Sequence, residues 1–157
     1  MDFILTQIGT VKADDNGFRI QLDKHYIPAL EGLEDGSYIQ LLCWFDKCDN
    51  ARSRNKLTEC KPYAKGPEVL GTFATRSPER PNPIAVSCAY VTYIDRESGV
   101  IGLAYTDAFD ATPVLDIKPY VPSLDRVEAP PVPSWCAHWP SCVEASGDFD
   151  WEAEFNF

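Results

Sequence analysis

Basic residues are scarce in this chain. Lys and Arg total 14 against 24 Asp and Glu, which leaves a formal charge of −10 and a pI near 4.5. A protein that neutralises phosphates across its surface carries the opposite sign, so any nucleic-acid contact has to be local, and DNA is not expected as a partner. Long apolar runs are also missing: no stretch approaches the ~20 residues of a membrane-spanning helix, and no membrane partner is expected. The opening Met1-Asp2-Phe3-Ile4-Leu5-Thr6 has neither a basic n-region nor a long apolar core. No secretory signal is visible there, and a cytoplasmic protein is expected. The chain has six cysteines but no paired C-x-x-C, so without a leader they read as reduced thiols and not as a disulfide framework. Cys136, His138 and Cys142 can be read as metal ligands or as ordinary side chains; their spacing matches no standard zinc pattern, and no metal is expected.

What is present is ordinary globular material. The chain has 157 residues and 17.6 kDa, with 45% hydrophobic and 24% charged residues, which fits one soluble domain. Charge is polarised along it. From Pro119 to Phe157 there are seven acids and one base, whereas Lys47 to Arg80 holds eight bases and four acids. An anion-facing side is therefore compatible with the acidic sum.

Strand signals dominate. Phe18, Ile20 and Leu22 alternate with Arg19 and Gln21, the period of a half-buried strand. Ile39 to Phe45 is a nearly continuous apolar run, short enough for a strand buried on both faces. Ala85–Ile94 and Val100–Tyr105 are rich in β-branched and aromatic residues, with Asp95–Gly99 as the turn between them. At the C-terminus, Phe149, Trp151, Ala153, Phe155 and Phe157 alternate with Asp148, Asp150, Glu152, Glu154 and Asn156. That pattern predicts an amphipathic strand whose acids form a solvated face. Ile27–Leu33 predicts one or two helical turns, with Pro28 near a first helical position. Asp46–Gly66 reads as a long mobile loop, and the proline-rich stretch 119–140 as a surface crossing without regular structure. The expected architecture is all-β, a small barrel or sandwich, in which residues 1–122 form the domain and 123–157 an arm packed on it.

Two segments carry chemistry. In Gly71-Thr72-Phe73-Ala74-Thr75-Arg76-Ser77-Pro78-Glu79-Arg80-Pro81-Asn82-Pro83-Ile84-Ala85-Val86-Ser87, three prolines stiffen the backbone from which Arg76 and Arg80 project. Arginines held this way suit a carboxylate, a phosphate or an aromatic face, although a proline-rich turn with solvated arginines has the same composition. In the second segment, Thr106 to Tyr120, three carboxylates, a lysine and a tyrosine leave a strand end together; a buried Asp116–Lys118 pair is the structural alternative.

Together, "GTFATRSPERPNPIAVS" and "DATPVLDIKPY" closely resemble the TsaA-like, TrmO-type family of S-adenosylmethionine-dependent methyltransferases. The similarity extends to "LEGLEDGSYIQLLCWF" and "IGTV", covering most of residues 3–122. The resemblance implies a small TsaA-like β-barrel with an irregular acidic C-terminal arm, a homodimer with S-adenosylmethionine near its interface, and N6-methylation of threonylcarbamoyladenosine at tRNA position 37. It also implies a cofactor site built from Phe45, Asp46, Lys47, Arg76, Val86, Thr106, Asp107, Ala108 and Phe109. Asp116, Lys118 and Tyr120 are the expected catalytic residues. Arg80, Asn82, Arg52, Arg54 and Lys56 are the expected contacts to substrate, an anticodon loop.

The chain also departs from the family pattern. The N-terminal Pro-Arg-Gln found in many members is absent from Lys12–Asp23. Asp46-Lys47 stands where bacterial members often have His-Gln, and Ala111 and Ala85 occupy positions that are usually glycine. A methyltransferase of a small molecule or a protein, and a non-catalytic module binding S-adenosylmethionine, are the alternative functions.

Overall fold

The computed structural model describes residues 3–156. Contacts divide the chain into two compact units, one of Met1–Asp49 with Pro83–Arg126 and the other of Asn50–Asn82 with Val127–Phe157.

The first unit is a closed barrel. Its strands are β1 (Gly9–Asp14), β2 (Gly17–Leu22), β3 (Tyr38–Trp44), β6 (Ile84–Asp95), β7 (Val100–Leu103) and β8 (Pro113–Pro119), arranged in the order β1-β2-β7-β6-β3-β8. All the ladders are antiparallel. The alternation seen in the sequence does this work. Ile20 and Leu22 of β2, and Ile39, Leu41 and Cys43 of β3, turn inward and meet Val11, Ala89, Val91, Ile101, Leu103 and Val114. The side chains of Ile20, Ile39, Leu41 and Ile101 are wholly enclosed, each stabilising the fold by about 1.5–3 kcal/mol. β3 shows a clean alternation of buried and half-buried residues, so its outer face is partly exposed where the sequence suggested burial on both faces. The ladders differ greatly in length: β3 and β6 align seven residue pairs from Tyr38↔Tyr90 to Trp44↔Ile84, whereas β1 and β8 align only Gly9↔Val114 and Thr10↔Pro113. The turn before β3 is a 3-10 helix at Lys24–Leu30 that carries Pro28 inside it and not at its start. A short helix, Pro122–Asp125, follows β8 where the proline content predicted irregular chain; Pro122 at its first position explains this, since the missing N–H is not needed there.

The second unit contains helix α1 (Ala51–Arg54), the two-stranded sheet of β4 (Thr58–Cys60) and β5 (Val69–Gly71), and helix α3 (Trp151–Glu154); the helix at Pro122–Asp125 is α2 in chain order. Residues 46–66 are therefore not a continuous loop. Asn50 starts α1 by accepting the Ser53 amide, a cap that composition alone obscured.

The terminal strand is corrected to a short helix. The Asp150 side chain accepts the Ala153 amide, and Trp151 stacks on Phe155 at 5.4 Å, one helical turn away. Glu154, expected in solvent, is 4% exposed and receives His138 at 2.8 Å, while Ala153 is exposed. Only Phe155 pairs as a strand residue, in an isolated bridge to Tyr63. Phe157 lies outside the described residues.

Candidate functional site

Trp44 pairs with Ile84, so β3 ends and β6 begins at the same end of the barrel. Beyond Trp44 the chain makes a 3-10 turn, Asp46–Cys48, in which the Cys48 amide donates to Phe45 O. The Phe45 amide donates to Pro83 O at 2.7 Å, and the Trp44 indole donates to Asp49 at 3.1 Å. These bonds set Lys47, whose ammonium lies 4.2 Å from the centroid of the Phe109 ring. Phe109 belongs to the segment after β7 and is 66% exposed, an aromatic face held out of the core beside a cation.

The same segment is anchored by Thr106, which is buried and accepts the Ala108 amide through its hydroxyl. Ala108 packs on the core. Asp107, between them, is exposed and accepts a hydrogen bond from the Ser87 hydroxyl at 3.3 Å. Burial pushes the Cys43 thiol up to about 12, and the Asp107 charge adds to the effect. Val86, next to Ser87 on β6, lies opposite Leu42 of β3, and Leu42 lies opposite Asp116 of β8. Val86 and Asp116 therefore flank Leu42, about 10 Å apart at ordinary strand spacing. Phe45, Asp46, Lys47, Val86, Thr106, Asp107, Ala108 and Phe109 are thus gathered in one unit from three segments.

Asp116, Lys118 and Tyr120 follow one another along β8 and just past it. Asp116 and Lys118 form an ion pair at 2.6 Å, but both side chains are solvent-accessible, 46% and 63% exposed, so this is not a buried structural pair. Asp116 also accepts the Ile117 amide. Tyr120 meets Tyr38 edge-on at 6.4 Å, and Tyr38 meets Tyr90 at 5.2 Å. A cavity of about 350 Å³ opens beside Asp116, lined by Leu22, Tyr26, Leu30, Leu33 and Ile117.

The remaining residues lie in the second unit. Arg76 is exposed and lines a cavity of about 250 Å³ there. Arg80 donates to the carbonyls of Thr72 and Thr75 at 3.0 and 2.8 Å, Arg54 donates to Pro81 O at 3.1 Å, and Lys56 pairs with Glu59 and Glu79 at 2.8 and 2.5 Å. Each of these three brings the arginine segment or its neighbours together, which is a positioning role. Arg52 is exposed on α1, and Asn82 precedes Pro83.

Ser87 was not legible as a site residue, since its partner comes from a loop twenty residues on. Among the described residues, no group of three or more His, Cys, Asp or Glu is placed to hold a metal ion.

The sequence profile of the tRNA-methyltransferase O N-terminal domain matches residues 7–126. An S-adenosyl-L-methionine-binding protein of Archaeoglobus fulgidus is 36% identical over 108 residues, spanning 69% of this chain and 72% of that protein. The tRNA (adenine(37)-N6)-methyltransferase of Mus musculus is 39% identical over 97 residues, 62% of this chain but only 21% of the mouse protein. The crystal structure of TrmO from Pseudomonas aeruginosa superposes with a TM-score of 0.64 at 29% identity, covering 85% of this chain and 62% of that one.

Proposed function

Since the chain belongs to the family of the tRNA-methyltransferase O N-terminal domain, we propose that it is an S-adenosylmethionine-dependent methyltransferase acting on N6 of adenosine 37 in tRNA, with threonylcarbamoyladenosine as the acceptor. Relatives named for cofactor binding and for this transfer support the reading. The observation that carries it is the gathering of Lys47, Phe109 and a Ser87-held Asp107 at one barrel end. Residues 1–122 are then the methyltransferase domain, and 123–157 its arm. A cytoplasmic homodimer completes the proposal.

The residues present fit the cofactor's chemistry. Asp107 is a carboxylate acceptor for ribose hydroxyls, Phe109 offers a ring face for adenine, and Lys47 offers a cation for a carboxylate. Bound S-adenosylmethionine supplies an electrophilic methyl group on a sulfonium. The chain's task is alignment, since holding two reactants in line can contribute ~7–11 kcal/mol. Thr106 and Ala108 fix the loop that presents Asp107. Asp116 takes the proton released from N6, its carboxylate becoming the neutral acid, and Lys118 holds that carboxylate in place.

The test is transfer of label from S-adenosylmethionine to tRNA. Label in adenosine 37 that falls at least ten-fold in Asp107→Asn and in Arg76→Ala is the expected result. Calorimetric binding of the cofactor with no labelled tRNA would remove the tRNA assignment. The internal pairing of Arg54, Lys56 and Arg80 favours a small-molecule acceptor as the second reading, and label recovered in a metabolite extract would select it.

A further inference from the structure

In the second unit the arginine segment is fastened to a buried tyrosine. The Tyr63 hydroxyl accepts the Arg76 backbone amide, and the Tyr63 side chain is enclosed. The residues beside Arg76 are held from within their own segment. The Thr75 hydroxyl donates to Thr72 O at 2.9 Å, the Ser77 amide donates to the Thr75 hydroxyl at 3.3 Å, and Arg80 donates to the carbonyls of Thr72 and Thr75. The bond at Arg76 is of another kind, because its acceptor sits on a ring fixed by a distant part of the chain.

That part is the arm. Tyr63 stacks on Trp135, with centroids 5.1 Å apart and planes 15° from parallel, meets Trp139 edge-on at 5.1 Å and lies tilted against Phe155 at 5.8 Å. The backbone around the ring is clamped as well. The Ala64 amide donates to Glu154 O at 2.8 Å, the Asn156 amide to Pro62 O at 3.1 Å, and the Asn156 side chain to Lys61 O at 2.8 Å. Every one of these arm residues lies beyond residue 126, outside the span that matches the family. Trp135 and Trp139, with Tyr63, also wall the cavity that Arg76 borders. A buried ring packed in this way has few orientations open to it, so its hydroxyl holds one place and the Arg76 amide is held with it. Arg76 is exposed, and what fixes its backbone fixes the direction in which its side chain leaves. We infer that Tyr63 is a positioning residue for Arg76, and that the arm, by packing its tryptophans on Tyr63, sets the cofactor arginine from outside the family's domain. This role rests on the assignment of Arg76 to the cofactor in the reading proposed above, and adds to it a residue and a segment. It depends on where the Arg76 backbone stands, whatever the guanidinium meets.

The test measures the affinity of the full chain for S-adenosylmethionine by calorimetry, with melting temperature as the check on folding. Tyr63→Phe keeps the ring and removes the acceptor. It weakens cofactor binding about five-fold, while the melting temperature moves little, because water takes up the amide of an exposed residue. In the Arg76→Ala background the same change has no further effect on cofactor affinity, since the side chain it orients is gone. Trp135→Leu weakens binding as Tyr63→Phe does, and Trp135→Phe restores it by keeping a ring against Tyr63. Affinity unaltered in Tyr63→Phe but lowered in Arg76→Ala overturns the inference and leaves the cofactor reading standing. An equal loss from Tyr63→Phe with and without Arg76 also overturns it, for Tyr63 would then be a general support of the unit. A chain that binds no cofactor, or binds it equally well in Arg76→Ala, removes the cofactor assignment of Arg76 and the inference together. Coupling of Tyr63 to Arg76 without any labelled tRNA would instead sink the tRNA reading and leave the positioning role in place.

Discussion

Ala111 has φ of 65°, in the left-handed region where a Cβ crowds the carbonyl at a cost of ~1–2 kcal/mol. Its amide still donates to Val11 O at 2.9 Å, so the turn into β8 is kept despite the strain. The family's usual glycine at this position thus has a conformational reason, and the departure noted in the sequence is a local stability cost. Ala111→Gly relieves the strain but adds unfolded-chain entropy worth ~0.4–1 kcal/mol. The expected net gain is about 0.5–1 kcal/mol, read as a higher urea midpoint with an unchanged slope. Ala85, the other departure, pairs regularly with Cys43 inside β6 and carries no such strain.

At the scale of elements, strands were readable wherever one face is buried. Ile20 and Leu22, or Ile39, Leu41 and Cys43, recur every second residue because the barrel interior demands it. The terminal segment failed for the opposite reason. Phe149, Trp151 and Phe155 satisfy a period of two, but Trp151 and Phe155 also satisfy a spacing of four, and Asp150 decides between them as a cap. In the candidate site, long motifs single out Lys47, Asp107 and Phe109, whereas their contacts depend on where two loops meet β6. The basic segment misled by its composition. Its charges are mostly bound internally, as in the clamp of Lys56 on Glu59 and Glu79. The Lys56 hydrogen bond holds the Glu79 carboxyl below its ordinary value, against a smaller opposing effect of burial. A lowered carboxyl stabilises the fold above its unfolded value near 4.5 and loses that contribution as pH falls through the folded value. Lys56→Ala is expected to cost less than ~1 kcal/mol at neutral pH, because the pair is solvent-screened. It should also shrink the stability difference from wild type as the solution is acidified below about pH 4.5, seen in melting temperature against pH.

For the whole molecule, net charge is a poor guide to what it binds. Residues 50–82 contain seven bases, of which Arg54, Arg80, Lys56 and Lys61 are engaged with carbonyls or carboxylates. RNA affinity should therefore fall with salt along a shallow line, with a logarithmic slope of magnitude about 2–3 and not the steeper value that seven phosphate contacts would give. Titration of tRNA at several potassium chloride concentrations measures it.

The two-pair join between β1 and β8 has its own consequence for motion. A cask leaks at its weakest joint, and this short joint is flanked by the Ile8 amide on Val114 O, the Val11 amide on Thr112 O and the Ala111 amide on Val11 O. In deuterated water those amides should exchange before the ones bridging β3 and β6, because the wall breathes there at a fraction of the cost of global unfolding. Nor can a bulkier side chain caulk it at Gly9, where a Cβ would stand 2.3 Å from Gln21 O.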